Sequence, residues 1–469
     1  MNTILGGQSA EGSITAKSAG TMKKIQFHQE LICRMLGAHV QQRSKSSSAL
    51  GLATRCGRLY FNLPAFMPMD ISQTPKKLWF VAGEASGDMR GAELIRALQQ
   101  ETSHLVCLGA GGPRMSQLCQ SPFDNWIAEA GVLGLWDVLR NYSYFRAKFQ
   151  TMLENIRTVR PDAVVLVDYP GFNLRLAAAL RKQQYQGKII YYISPQVWAW
   201  NRGRIPKMAK ILDLMICVFP FEKPMYEASG LKTVFAGHPL LEALEKERTG
   251  EPRDPDLLGL FPGSREREVK RIFPPMLEAA RIIKARRPQT RFEVAASSEA
   301  HAERMRTLAG DFPMHINHGT AHSLMQRAGA GIVCSGTATL EAAAFGLPYC
   351  LIYKIAWLTF EVGRRLVNVD GLGILNILNN YRVNPPPDPK LPAVPAPHIV
   401  REFIQHFATP EALAGEALRL LNEENAREEL RAELASLIST LKADGASERA
   451  AHYVLEEIAS TTTRLPSTA

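Results

Sequence analysis

Along most of this chain short apolar runs end in Gly/Ser turns, and each turn opens a stretch whose apolar positions recur with helical spacing. The first such unit runs from Leu78-Trp79-Phe80-Val81-Ala82 into Gly83-Glu84-Ala85-Ser86-Gly87-Asp88, predicting a strand near Leu78–Ala82 and a helix near Arg90–Gln99. The unit returns where Leu258-Gly259-Leu260-Phe261 leads into Pro262-Gly263-Ser264-Arg265. Between the two copies, strands are predicted near His104–Gly109, Ala163–Asp168, Lys188–Ile193, Leu212–Phe219 and Thr233–Ala236. After the second copy they are predicted near Arg291–Ala296, Met314–Asn317, Gly331–Cys334 and Pro348–Tyr353. Strands separated by helical patterns indicate mostly parallel sheets, so the expected class is α/β with two Rossmann-like doubly wound domains. Such domains bind ligands beyond the carboxyl ends of their strands, and two of them imply a cleft.

The same pattern divides the chain. Residues 1–75 are Ser-rich, acid-poor and weakly periodic, a composition open to a targeting peptide or to a start placed upstream of Met67 or Met69. Residues 76–243 form the expected amino-terminal domain, 244–256 a charged, Pro-bearing linker, and 257–412 the second domain. Residues 413–459 read as helices rich in Ala, Leu and Glu, and 460–469 as a frayed tail. The stretch Asn384–Pro397 holds seven prolines and is expected to be an irregular surface loop.

Composition narrows the function classes. With 469 residues and 46% hydrophobic side chains the chain can bury two full cores. Its seven cysteines (33, 56, 107, 119, 217, 334 and 350) lack a Cys-x-x-Cys pair, so neither a disulfide framework nor a zinc site is suggested. Half of the net charge of +10 belongs to residues 1–75, which leaves the folded part mildly basic. No concentrated basic stripe with stacking aromatics stands out, so a nucleic-acid partner is not expected. The longest uncharged stretches fall short of the ~20 residues of a membrane span.

No dinucleotide fingerprint, Walker lysine motif, His-Glu-x-x-His or Gly-x-Ser-x-Gly is present. Two turns of the second domain suit an anion instead. Gly263-Ser264-Arg265 follows one strand, and Ser335-Gly336-Thr337-Ala338-Thr339 follows another and opens the helix Leu340–Phe345. Helix-end N–H groups with a guanidinium could hold a diphosphate, or Ser335 or Thr337 could simply cap the helix. Glu341, four residues after Thr337, could accept from ribose hydroxyls or merely complement the helix end. Asp168 ends an apolar strand, where it could take a proton from a hydroxyl nucleophile or form an Asx-turn. The aromatic and basic segment Gly131–Gln150 suits either a lipid interface or a core face. His238 before Pro239 reads as a buried or capping histidine, and Asp254-Pro255-Asp256 only mimics a metal motif.

Taken in order, these segments resemble the lipid-A-disaccharide synthases, inverting glycosyltransferases of the two-Rossmann-domain GT-B type. The resemblance runs from about Lys77 to Gln405. Its most specific pieces are Ala82-Gly83-Glu84-Ala85-Ser86-Gly87-Asp88 and Ser194-Pro195-Gln196-Val197-Trp198-Ala199-Trp200. Gly112-Pro113-Arg114-Met115, Val167-Asp168-Tyr169-Pro170-Gly171-Phe172-Asn173, Phe219-Pro220-Phe221-Glu222-Lys223, Gly237-His238, Pro262–Arg265 and Ser335–Glu341 support them. The resemblance implies transfer of 2,3-diacylglucosamine from its UDP derivative to the 6-hydroxyl of 2,3-diacylglucosamine 1-phosphate (lipid X). It implies no cofactor and no catalytic metal. Carried over by motif, the catalytic set is Asp168 with Glu84 and Asp88. Substrate contacts are Ser86, Arg114, Asn173, Trp198 and Asn376, and UDP contacts are Gly263, Ser264, Arg265, Ser335, Gly336, Thr337 and Glu341. A cytoplasmic enzyme held peripherally at the inner membrane is implied, with Gly131–Gln150 as the lipid contact and room for a homodimer.

The chain departs from the family pattern at Gly171, where an acidic residue is usual, and at Leu375, where proline is usual. The Pro-rich stretch is an apparent insertion before Val400–Gln405, and residues 1–75 have no counterpart. A UDP-sugar 2-epimerase shares the architecture, but its first turn would be Gly-Thr-Arg-Pro. A non-catalytic lipid- or nucleotide-binding relative is the other alternative.

Overall fold

The computed structural model describes residues 75–127, 142–356, 371–442 and 445–460. The expectations for residues 1–74, for Gly131–Asn141 and for the last nine residues lie outside the described residues.

Seven parallel strands build the amino-terminal sheet: β1 (Lys76–Ala82), β2 (Leu105–Ala110), β3 (Phe123–Asp124), β4 (Ala163–Val167), β5 (Lys188–Tyr192), β6 (Leu214–Cys217) and β7 (Thr233–Phe235). Their spatial order is β3-β2-β1-β4-β5-β6-β7. Leu78 to Ala82 and Ala163 to Val167 are buried at every position, because helices cover both faces. That is why these strands read as unbroken apolar runs. Chain order reverses between β1 and β4, where Ala82 pairs with Val167. The turns that follow the two strands therefore leave the sheet edge side by side.

The second sheet has six parallel strands: β8 (Asp254–Phe261), β9 (Arg291–Ala296), β10 (His315–His318), β11 (Ala328–Cys334), β12 (Tyr349–Tyr353) and β13 (Glu402–Ile404), ordered β10-β9-β8-β11-β12-β13. Its order reverses between β8 and β11, with Phe261 opposite Val333. The turns at Pro262–Arg265 and Ser335–Thr337 are thereby brought together. β8 starts at Asp254, so the Asp-x-Asp stretch belongs to a strand, where Asp254 pairs with Arg291 and Asp256 with Arg287.

The carboxy-terminal helices divide between the domains. Pro410–Asn422 packs on the second sheet through Leu413 and Leu420, and Glu424–Leu441 packs through Leu434 and Leu437 on the helices beside it. Ala446–Ala459 returns to the first domain, where Ala450, Ala451, Val454 and Leu455 join the core around Leu94 and Leu98. The buried Glu457 on this helix accepts from Lys188, itself largely buried, at 2.9 Å and from the exposed Lys232 at 2.8 Å. The domains also meet where Phe221 stacks on Tyr381 at 4.1 Å, and where Arg202 donates to the Tyr381 hydroxyl.

The Pro-rich stretch forms an ordered strap without regular structure. Asn380 accepts from the Ala396 N–H at 2.8 Å, Asn379 donates to the Pro397 carbonyl at 3.0 Å, and Arg202 donates to the Lys390 carbonyl at 2.9 Å. Among the described residues no helix is long and apolar enough to cross a membrane.

Candidate active site

Asp168 stands just past β4 at the first switch point. It and Tyr169 both occupy the left-handed region, with φ of 47° and 48°. Each such residue costs of order 1 kcal/mol or more and persists only when its surroundings hold it. Here they do. Asn173, fully buried, donates its amide to the carbonyls of Asp168 at 2.7 Å and Val167 at 3.2 Å. The Tyr191 hydroxyl donates to the Asp168 carbonyl at 2.6 Å. Tyr169 swings over the neighbouring turn, where a Cβ on Gly83 would lie 2.1 Å from its ring. Trp126 donates to the Ala82 carbonyl at 2.8 Å and meets Tyr169 edge-on with ring centres 6.0 Å apart. The Asp168 carboxylate is thus presented on a rigid double turn.

Burial pushes the Asp168 carboxyl up to about 6, with the negative charge of Glu84 adding to the rise and a Tyr169 backbone hydrogen bond opposing it. Above that pH the group is an ionised acceptor of raised basicity, suited to taking a hydroxyl proton. Glu84 and Ser86 are exposed at the start of the helix Ala85–Glu101 on the adjacent turn.

Four expected site residues face inward instead. Asp88 is buried, and its carboxylate accepts from the backbone N–H groups of Gly112 (2.9 Å), Arg114 (3.0 Å) and Met115 (3.0 Å). It organises the Gly112–Met115 turn and leaves the Arg114 side chain exposed. Asn173 holds the strand-end carbonyls. Trp198 is fully buried and donates to Glu222 at 2.8 Å. Asn376 is buried, donates to the Val400 carbonyl at 2.8 Å and to Glu402 at 2.7 Å, and accepts from the Val400 N–H at 3.1 Å. These polar groups stabilise the turns that carry the site. Leu375 packs in the core of the second domain.

Glu222 lies within the Phe219–Lys223 motif, to which the resemblance assigns no site role. It is fully buried, accepts from the Ser194 hydroxyl as well as Trp198 and the Phe219 N–H, and burial raises its carboxyl to about 7. The Ser194–Trp198–Glu222 network ties the turn after β5 to the turn after β6. His238 stands at the N-cap of Pro239–Glu245 without capping it, and burial lowers its pKa to about 3.

At the second switch point Gly263 has φ of 100°, and Arg265 begins the helix Glu266–Arg286. The Arg265 guanidinium is 60% exposed and pairs with Glu268 at 3.1 Å. Gly336, with φ of 147°, is the N-cap of the helix Thr337–Ala344, which carries no side-chain cap. Neither Ser335 nor Thr337 performs that role. A Cβ on Gly336 would meet nothing within 4 Å, so an anion can approach this backbone. Glu341, in the same helix, lies 3.8 Å from His322, which the sequence did not single out.

A family model described as lipid-A-disaccharide synthetase matches residues 78–390. The chain belongs to the lipid-A-disaccharide synthase family. The match spans both switch points and the buried network between them. The Trichlorobacter lovleyi lipid-A-disaccharide synthase is 37% identical over 395 residues, covering 82% of this chain and 98% of that one. Its Coxiella burnetii counterpart is 33% identical over 388 residues, covering 81% of this chain and 98% of that one. This synthase is therefore a glycosyltransferase of lipid A biosynthesis with the GT-B fold. Among solved structures, UDP-GlcNAc 2-epimerase from Neisseria meningitidis bound to UDP-GlcNAc matches with a TM-score of 0.53 and 10% identity, covering 82% of this chain and 100% of that one. At that identity the likeness concerns the fold alone. Among the described residues of the synthase no group of three His, Cys, Asp or Glu could hold a metal ion.

Proposed function

We propose that this synthase joins 2,3-diacylglucosamine, delivered as its UDP derivative, to the 6-hydroxyl of 2,3-diacylglucosamine 1-phosphate. The hydroxyl oxygen bonds to the anomeric carbon as the bond from that carbon to the diphosphate breaks on the opposite face, which inverts the centre and gives a β-1,6 linkage. The hydroxyl proton passes to Asp168, and the leaving electron pair goes to the diphosphate of UDP. The observation that carries this reading is the Asp168 carboxylate on a rigid switch-point turn, held ionisable near neutral pH by burial and Glu84. Negative charge grows on the leaving diphosphate, where Arg265 and the uncapped start of Thr337–Ala344 act most strongly. Glu84 and Ser86 lie on the acceptor side, and Glu341 takes the ribose hydroxyls. Holding both sugars between two domains supplies the proximity.

The acyl chains of both substrates place the enzyme at the inner-membrane surface. In the described part of Gly131–Gln150, Phe145 packs on Trp126 and Phe149 on Phe172, so these two partly buried rings lie against the core. Exposed Arg146 is left to face lipid.

Incubation with UDP-diacylglucosamine and the monosaccharide 1-phosphate should yield disaccharide and UDP. Asp168→Asn should abolish transfer while UDP binding stays nearly intact; undiminished turnover would rule out this base. Epimerised sugar without disaccharide would overturn the transferase reading.

A further inference from the structure

His322 belongs to none of the family motifs, yet it sits between the two chain segments that meet behind the nucleotide side. It is the second residue of the helix Ala321–Arg327, and its ring lies over Phe345 with centres 5.4 Å apart. Nδ1 is 2.6 Å from Glu247 Oε2, and Nε2 is 3.8 Å from Glu341 Oε2. A ring nitrogen directed at a carboxylate on each side is satisfied only when both nitrogens carry protons. In keeping with this, Glu341 and then Glu247 raise the imidazole to about 9 against the opposing effect of burial.

The far anchor is itself fixed. One turn along the same helix, Gln326 donates to the Glu247 carbonyl at 3.0 Å and accepts from the Thr249 N–H at 2.8 Å. Glu247 belongs to the segment joining the domains, so the helix grips that segment through His322, Met325 and Gln326, and His322 carries the grip forward to Glu341. An imidazolium here also offsets a charge conflict. Glu341 lies in the helix whose start would receive a diphosphate, and a bare carboxylate beside that anion would repel it.

We propose that His322 is a positioning residue for the donor nucleotide: anchored by Glu247, it aims the Glu341 carboxylate at the ribose diol and offsets its repulsion of the diphosphate. The proposal rests on the reading of Glu341 as the ribose acceptor. A test that separates the two compares binding of UDP and 2′,3′-dideoxy-UDP by calorimetry in the full chain, with donor KM and kcat measured alongside. The wild-type chain should prefer UDP by about tenfold, the scale of a lost charged hydrogen bond. Glu341→Gln should erase that preference. His322→Gln should reduce it to about threefold or less, raise the donor KM and leave kcat within about twofold, and the double variant should be no worse than Glu341→Gln alone. Glu247→Gln, which withdraws the anchor and keeps the ring, should act in the same direction and serves if His322→Gln does not fold. An undiminished preference in the His322 and Glu247 variants, with Glu341→Gln deficient, overturns the positioning role and spares the ribose reading. No preference in the wild-type chain overturns both.

Discussion

Glu84 and Asp168 stand on adjacent turns at the point where strand order reverses, and the charge of the first raises the proton affinity of the second. Two carboxylates at one sheet edge therefore have different characters: one exposed to solvent and a partly buried one that holds its proton up to about 6.

This pairing predicts the acid limb of the pH profile. Transfer requires ionised Asp168, so kcat/KM should rise with pH and level off above about 6. Glu84→Gln removes the second cause of the rise, so the limb should move to lower pH. An unmoved limb in that variant, measured as kcat/KM from pH 5 to 8, would show that another group governs it.

Gly83 is required by a ring. Gly83→Ala places a Cβ 2.1 Å from Tyr169, which must leave its packing against Trp126. Overpacking of this kind costs about 1–3 kcal/mol, read from urea unfolding, and transfer should fall with it. Tyr169→Gly in the same chain relieves the clash, and glycine accepts the left-handed backbone, so the double variant should regain much of the lost stability.

The buried Glu222 makes a signed prediction. Its folded pKa of about 7 lies above the unfolded carboxyl value, so between roughly pH 4.5 and 7 the folded state holds the extra proton and this group's contribution to stability falls as pH rises. The stability of the wild-type chain minus that of Glu222→Gln should therefore fall as pH rises over that range. A value that rises with pH in paired thermal melts would contradict the assignment.

Arg265 is expected to behave in the opposite way to the buried polar groups. Its guanidinium is exposed and touches one partner, so Arg265→Ala should leave the melting temperature nearly unchanged. If it clamps the diphosphate, UDP should bind about tenfold or more weakly in that variant, as calorimetry would show.

Much of the fold was legible because strands buried on both faces must be apolar throughout, and the turns at their ends must carry Gly, Ser or Asp. Leu78–Ala82, Ala163–Val167 and Gly331–Cys334 declare themselves in this way, and so do the turns at Gly83, Asp168, Gly263 and Ser335. The two-residue strand β3 is too short to leave a pattern, and the helix Ala446–Ala459 has an apolar stripe that does not say which domain it covers.

The candidate site divides along the same line. By itself the sequence determined which residue types stand at the strand ends, because the alternation of strand, turn and helix is written locally. Only the tertiary structure decided which of them face the cleft. Asp88, Asn173, Trp198 and Asn376 are polar or amphipathic residues in the right motifs, yet each meets a backbone or side-chain partner supplied by a remote segment, the Val81 carbonyl in the case of Asn173, and is buried there. His322 shows the converse, a residue without a motif that acquires two carboxylate partners from distant segments. A buried polar group must find its hydrogen bonds, and those partners exist only after strands far apart in the chain have paired in register.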